Sequence, residues 1–309
     1  INGGSRNIVV NNTVIAGHAS VGMMITAIAN SNRVAGNTIY SNVLAGVYVF
    51  GLDSDANRIE SNVIRGPGQS NGIWLQNGDQ NTVTNNRIAR NIGPGIRFQA
   101  NAASNRVMGN RITSNGAEGI TMPAGAQQAN LFVRNIIDWN TNAGIEVNGA
   151  GSNRVLNNVF YANTVYNVLV GPGAGASNLF VGNILLSNGA TGVRNEAAGT
   201  RWQFNDVFGH ALQYDLPTGF GVSGGDITSD PLFSNAAAGN FRLSGPCPTS
   251  PAVDAGTTNG LMAYDAASIG GNARDMGAIE SGFSGAGATN DYYVDDRSDL
   301  GDVYTPSTV

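Results

Sequence analysis

Lysine is missing altogether from this sequence of 309 residues, and charged residues of every kind make up only 12% of it. Helical bundles and doubly wound sheets are written with Leu, Glu, Lys and Ala, and that vocabulary is too thin here for either. Aromatic residues are scarce as well, at 7%. A lone cysteine, Cys247, excludes an internal disulfide framework and reads as a buried thiol. Long hydrophobic runs are lacking too: the longest, Val43 to Leu52, is too short and too interrupted to span a bilayer. The sequence opens at Ile1 already inside its pattern, with no signal peptide, as a mature product or a piece of a longer chain would.

Glycine and asparagine take up the room, with 43 and 40 residues, while 41% hydrophobic content excludes disorder. Neither Asn nor charge is evenly spread. Residues 1–200 hold 12 Arg against 8 acids and 34 of the Asn, whereas residues 201–309 hold 4 Arg against 13 acids and 6 Asn. A boundary therefore falls near residue 200.

Asparagine recurs at 7, 32, 57, 81, 105, 130, 153 and 178, with gaps of 23 to 25 residues. A second series, Asn12, Asn37, Asn62, Asn86, Asn110, Asn135, Asn158, Asn183 and Asn205, runs beside it. A third is less complete: Asn42, Asn91, Asn115, Asn140, Asn163 and Asn188. Four apolar columns keep the same phase. They begin at Val9, Val14, Met23 and Ile25, and the last two stand two residues apart within each unit, as strands require.

Units of about 24 residues built of short period-two strands describe the coils of a parallel β-helix. The expected fold is all-β, a right-handed parallel β-helix of about nine coils with a C-terminal cap and an extended tail. At about 4.8 Å per coil the rod is roughly 40 Å long. Stacked Asn amides bond one another from coil to coil, and Asn tolerates left-handed backbone at the corners. A β-sandwich predicts no such vertical identity. The expected division is 1–233 for the solenoid, 234–280 for the cap and 281–309 for a linker and acidic tail.

The later motifs are Asp230-Pro231-Leu232-Phe233, Asn240-Phe241-Arg242-Leu243, Ser250-Pro251-Ala252-Val253-Asp254-Ala255-Gly256 and Ala273-Arg274-Asp275-Met276-Gly277-Ala278-Ile279-Glu280. In order and spacing they resemble the C-terminal region of secreted bacterial right-handed parallel β-helix proteins, including the choice-of-anchor Q domain group, with a shortened stretch between Arg274 and Asp275. The resemblance implies the fold and an extracellular or cell-surface location. It does not imply an activity, since such helices carry lyases, hydrolases, epimerases and inert adhesins. Physically, the motifs suit a cap over the sheet edges and apolar bore, with Asp254, Arg274, Asp275 and Glu280 tying down the final coil. The tail residues Tyr292, Tyr293, Val294, Val303 and Tyr304 resemble the opening strand of another β-helix. They are the candidates for assembly, with neighbouring copies or tandem modules as partners, by strand donation to an open N-terminal coil.

Outward positions of the strands form exposed columns. One holds Met24, Tyr48, Trp74, Arg97, Thr121, Glu146, Leu169 and Arg194, with Gln76 and Gln99 on the next outward column. Tyr48, Trp74, Gln76, Arg97, Gln99 and Glu146 are the glycan-binding candidates, an aromatic platform beside a guanidinium and amides suited to sugars bearing carboxylate or sulfate. The bland alternative is ordinary packing over a sheet face. A second column, Arg33, Arg58, Arg106 and Arg154, with Arg65, Arg87, Arg90 and Arg111 beyond it, suits either solubility or an acidic polysaccharide. Nucleic acid is not expected, because the chain is acidic and lacks Lys.

Catalytic signals are thin. Asp53 and Asp55 are the only neighbouring acids before residue 200, Asp138 with Glu146 is the one half-suited carboxylate pair, and His18 and His210 stand about eight coils apart. No cofactor is expected. Calcium is a weak alternative, at Asp53, Asp55 and Asn57 or at the tail acids Asp295, Asp296, Asp299 and Asp302. The leading expectation is an extracellular structural or adhesive module joined head to tail. The alternative is a carbohydrate-active enzyme, lyase-like, or a glycan-binding module acting on acidic polysaccharide.

Overall fold

Each coil turns through three short strands, and like strands of successive coils pair in parallel to make three sheets of nine strands. The computed structural model describes residues 1–125, 127–149, 151–187, 190–217, 224–244, 249–253, 255–256 and 275–279. In the second coil the strands are Arg33–Ala35, Thr38–Tyr40 and Ala45–Phe50, which lie in the first, second and third sheet respectively. Helix is confined, among the described residues, to one 3-10 turn at Ala236–Ala238.

The registers follow the sequence columns. Val9 pairs with Val34, Val34 with Ile59, and Ile59 with Val83 in the first sheet. Val47, Ile73, Ile96 and Ile120 do so in the third. These inward residues fill one continuous core with no solvent exposure over most of its length. Stacking like on like leaves each aliphatic side chain packed by its counterparts above and below, which is why no unit is stable alone. One column is corrected. Ile15, not Val14, pairs with Ile39, because the first coil carries one extra residue after Asn12, and Val14 is exposed.

Both long asparagine series are ladders. Asn86 donates its backbone N–H at 2.8 Å and its side-chain amide at 3.0 Å to the Oδ1 of Asn110. Asn110 passes the same pair of bonds to Asn135, both at 3.0 Å. Asn37, Asn62 and Asn86 are likewise bonded in sequence. In the third series Gln69 fills the gap between Asn42 and Asn91, its longer side chain reaching Asn91 Oδ1 at 2.7 Å. Asn188 lies outside the described residues. The left-handed bend does not fall on the ladder residue itself, as the sequence suggests, but on the residue before it: Ser61, Asn85, Ser104 and Arg134 all have φ between 53° and 55°. The ladder Asn keeps its N–H aimed at the next coil, which a left-handed turn at its own position would spoil.

Beyond residue 230 the chain folds back along the side of the rod. Phe241, Leu243, Ala252, Met276 and Ala278 are buried against Ile136, Val159 and Ile184, the outward residues of coils six to eight in the second sheet. Asn157 donates its amide to the Asp275 carbonyl at 2.9 Å, and Gly277 N–H donates to the Gly182 carbonyl at 2.6 Å. So the described residues of the expected cap cover a flank, and the reason is the three aliphatic side chains, which would otherwise form an exposed apolar stripe. Cys247, Asp254, Arg274, Glu280, the assembly candidates Tyr292, Tyr293, Val294, Val303 and Tyr304, and the tail acids Asp295, Asp296, Asp299 and Asp302 lie outside the described residues.

Candidate functional site

The outward face of the third sheet carries the sugar-binding candidates, and the pairing registers place them on consecutive coils. Tyr48 pairs with Trp74, Trp74 with Arg97, and Gln76 with Gln99. Glycine at a strand opening leaves room for the neighbouring backbone: a Cβ on Gly72 would meet the Gly95 carbonyl oxygen at 2.4 Å.

The three side chains make a stack, not the open platform that the sequence suggests. The Tyr48 and Trp74 rings lie 4.6 Å apart at 25°, and the Arg97 guanidinium carbon sits 5.3 Å from the indole centroid on the following rung. Both faces of the indole are thus occupied, so Trp74 offers an edge. The Tyr48 phenol donates to Gln76 Oε1. Burial pushes that phenol above its ordinary range, which makes Tyr48 a donor at neutral pH and a poor base. Phe50, which the sequence reading passed over, leans on Tyr48 with ring centres 5.4 Å apart and belongs to the same outward column as Gln76.

Three polar atoms on this face are shielded from water and bonded to nothing: Trp74 Nε1, Arg97 Nε and Gln99 Oε1. Polar groups removed from water are ordinarily satisfied, because leaving one unmade costs about 1–3 kcal/mol. Their convergence on adjacent coils marks the place. No carboxylate pairs with Arg97 among the described residues. Its charge is held on an aromatic face, with no carboxylate counter-ion among the described residues.

Glu146 stands two rungs further on, where its carboxylate accepts from Thr121 Oγ1 at 2.7 Å. It is not brought together with Asp138. That carboxylate is fully buried on the second sheet, 3.0 Å from Arg111 Nη2, so the expected pair is dissolved and Asp138 is structural. At the far end Arg194 is tied to Glu196 at 2.6 Å and Asp215 at 3.5 Å.

Elsewhere the other candidates disperse. Arg33 and Arg58 share Glu60, at 2.5 Å and 3.0 Å, so the first two guanidiniums of the arginine column are partly neutralised. Asn57 belongs to the buried ladder, and Asp55 accepts the Asp79 N–H at 2.7 Å. His210 bonds the Leu185 carbonyl, and burial holds it below the usual imidazole range; His18 lies on the first coil. No group of three His, Cys, Asp or Glu poised for a metal occurs among the described residues. No helix among them is long and apolar enough to cross a membrane.

Comparison with known proteins places this architecture. The family model described as periplasmic copper-binding protein (NosD) matches residues 1–116. That stretch contains one histidine, His18, no cysteine and three methionines, of which Met23 is in the core and Met24 and Met108 lie on different sheets. No curated protein matches. Among solved structures, pectate lyase Pel9A is 18% identical with a TM-score of 0.61, over 82% of this chain and 73% of the lyase. The periplasmic alginate epimerase AlgG is 19% identical with a TM-score of 0.52, over 66% of this chain. The A-module of the mannuronan C-5 epimerase AlgE6 from Azotobacter vinelandii is 14% identical with a TM-score of 0.50, over 74% of this chain and 59% of the module. The chain spans about half the length of AlgG, at 51%. At these identities the likeness is one of fold: this is a parallel β-helix of the architecture that those proteins share.

Proposed function

We propose that the chain binds an acidic polysaccharide, outside the cytoplasm, on the outward face of the third sheet. The observation that carries the reading is Arg97, a guanidinium laid on Trp74 with no carboxylate partner among the described residues. A sugar carboxylate or sulfate supplies the missing counter-ion and accepts from the terminal nitrogens of Arg97. A sugar hydroxyl accepts from the Gln99 amide Nε2. Phe50 and the ring edges give the apolar flank that pyranose C–H groups need.

The solved structures of like fold lend support, being named for pectate and alginate. The words periplasmic in the NosD and AlgG descriptions agree with the location. Together they favour the carbohydrate alternative over a structural or adhesive module joined head to tail. Nothing in the fold or the comparisons supports head-to-tail assembly.

Affinity electrophoresis through gels containing pectate, alginate or a neutral glucan tests the reading. The wild type is retarded by the acidic gels alone, and Arg97→Ala runs free. Equal retardation of Arg97→Ala and wild type overturns it. Incubation with the same two polymers, with and without calcium, reports in parallel whether unsaturated chain ends form, which adds lyase chemistry to binding.

A further inference from the structure

Charge is sparse along the outward face of the third sheet, and its order is specific. Between Met24 and Leu169 the central outward column contains one cation, Arg97, and one anion, Glu146. The column beside it runs Thr26, Phe50, Gln76 and Gln99 and is uncharged. Arg97 reaches back one rung to lie on Trp74, and Glu146 reaches back one rung to accept from Thr121. No ion pair joins Arg97 to Glu146 among the described residues, and their charges stay roughly two coils, or about 10 Å, apart. Thr121 between them is small and buried, and its hydroxyl is already given to Glu146.

Toward the first coils the same face turns apolar. Tyr48 is stacked on Trp74, Phe50 leans on Tyr48 and is 39% exposed, and Leu52, two residues further on, is 66% exposed. A carboxylate laid on that side would lose water and find no cation on these two columns to replace it. On the other side a carboxylate would approach Glu146, where like charges repel enough to weaken binding about three- to tenfold. Arg97 therefore has room for one acid, and the positions on either side of it reject a second.

We propose, resting on the polysaccharide-binding reading of Arg97, that this face selects acidic chains of low charge density. One free acid unit sits at Arg97, with neutral or esterified units over Phe50 on one side and opposite Glu146 on the other. A neutral or esterified sugar offers C–H and methyl surface to Phe50 and Leu52. At the other end a sugar hydroxyl donates to the Glu146 carboxylate. Glu146 is a specificity-determining residue, and it acts chiefly by repelling the wrong polymer. A polyuronate with an acid on every unit still binds through Arg97, but more weakly.

Calorimetric titration of the whole protein with three pentagalacturonates is the test: one fully acidic, one methyl-esterified on every unit but the central one, and one fully esterified. The single-acid pentamer binds at least about threefold more tightly than the fully acidic one, and at least about tenfold more tightly than the neutral one. Glu146→Gln strengthens binding of the fully acidic pentamer about three- to tenfold and leaves the single-acid pentamer within about twofold. That gain fades at high salt, as repulsion between exposed charges does. Asp230→Asn, the same change of charge at an exposed residue beyond the last coil, alters neither. Circular dichroism checks that each variant is folded. A fully acidic pentamer that binds as tightly as the single-acid one, or more tightly, overturns the proposal, and so does a gain that Asp230→Asn reproduces. If Arg97→Ala abolishes binding while Glu146→Gln changes nothing, the Arg97 site stands and the selection by charge density is refuted. If Arg97→Ala binds all three as the wild type does, the site itself is refuted and the selection with it.

Discussion

Asn205 donates its backbone N–H at 2.8 Å and its side-chain amide at 3.3 Å to one carboxylate oxygen of Asp226. Every earlier rung passes its donors to the next asparagine, whose own amide passes them on. A carboxylate accepts and donates nothing, so Asp226 ends the series chemically. It also leaves Asn205 with no ladder donor to offer a stacked copy, which removes the simplest means of head-to-tail growth at this end. Asp226→Ala strands the Asn205 donors in a buried place and lowers stability by about 1–3 kcal/mol, whereas Asp226→Asn keeps the acceptor and stays near wild type. Urea denaturation of the two variants checks the difference.

The ladder has a graded prediction along its length. Asn110 is fully buried and bonded to Asn86, Asn135 and the Val83 carbonyl. Asn12, on the first coil, is exposed and bonds only forward, to Asn37 and to the Val10 carbonyl two residues before it. Asn110→Ala therefore costs about 3 kcal/mol or more, because several buried partners lose their bonds together, while Asn12→Ala costs under about 1 kcal/mol. Equal costs in a denaturation series contradict this.

Much of this was open to sequence reading because a β-helix translates identity of phase into contact. Asn86, Asn110 and Asn135 are evenly spaced along the chain and touching in space. The same logic placed Tyr48, Trp74 and Arg97 on one face. What escaped was whatever depends on side chains leaving the average geometry. Gln69 serves as a ladder rung because its extra methylene spans a longer turn, and Ile15 replaces Val14 because one inserted residue shifts the phase. The burial of Ile136, Val159 and Ile184 depends on a segment about 100 residues downstream folding back, which no local pattern announces. The stacking of Trp74 between its neighbours was hidden because a column gives positions and not ring orientations.

Acid strengthens the end of the rod. Asp206 is fully buried on the last coil, its Oδ2 bonded to nothing and its Oδ1 accepting the Ser229 N–H at 3.3 Å. Burial, with Asp230 and Asp226 nearby, pushes its carboxyl up to about 7. Asp226 is raised by burial as well, and the facing Tyr214 phenol, bonded to Asp226, is pushed up and stays protonated. Because the folded chain holds the Asp206 proton more tightly than the unfolded one, its contribution is full below about pH 4 and is lost as pH rises through about 7. The melting temperature is thus expected to fall between about pH 4 and pH 7, and Asp206→Asn flattens that fall. Parallel curves for the two proteins contradict the assignment.

Arg111 and Asp138 form a buried pair, and breaking one side leaves the other charge uncompensated. Asp138→Ala is expected to cost about 3–5 kcal/mol, while the double replacement Arg111→Met with Asp138→Leu recovers much of the loss. A double-mutant cycle by chemical denaturation reads the coupling directly, and additive losses contradict a paired role.

The most direct test of the whole account is a crystal structure of the protein soaked with a short oligouronate. A sugar carboxylate within hydrogen-bonding distance of the Arg97 guanidinium is the predicted result. An oligosaccharide lying across the arginine column of the first sheet, with the Arg97 face left bare, contradicts it.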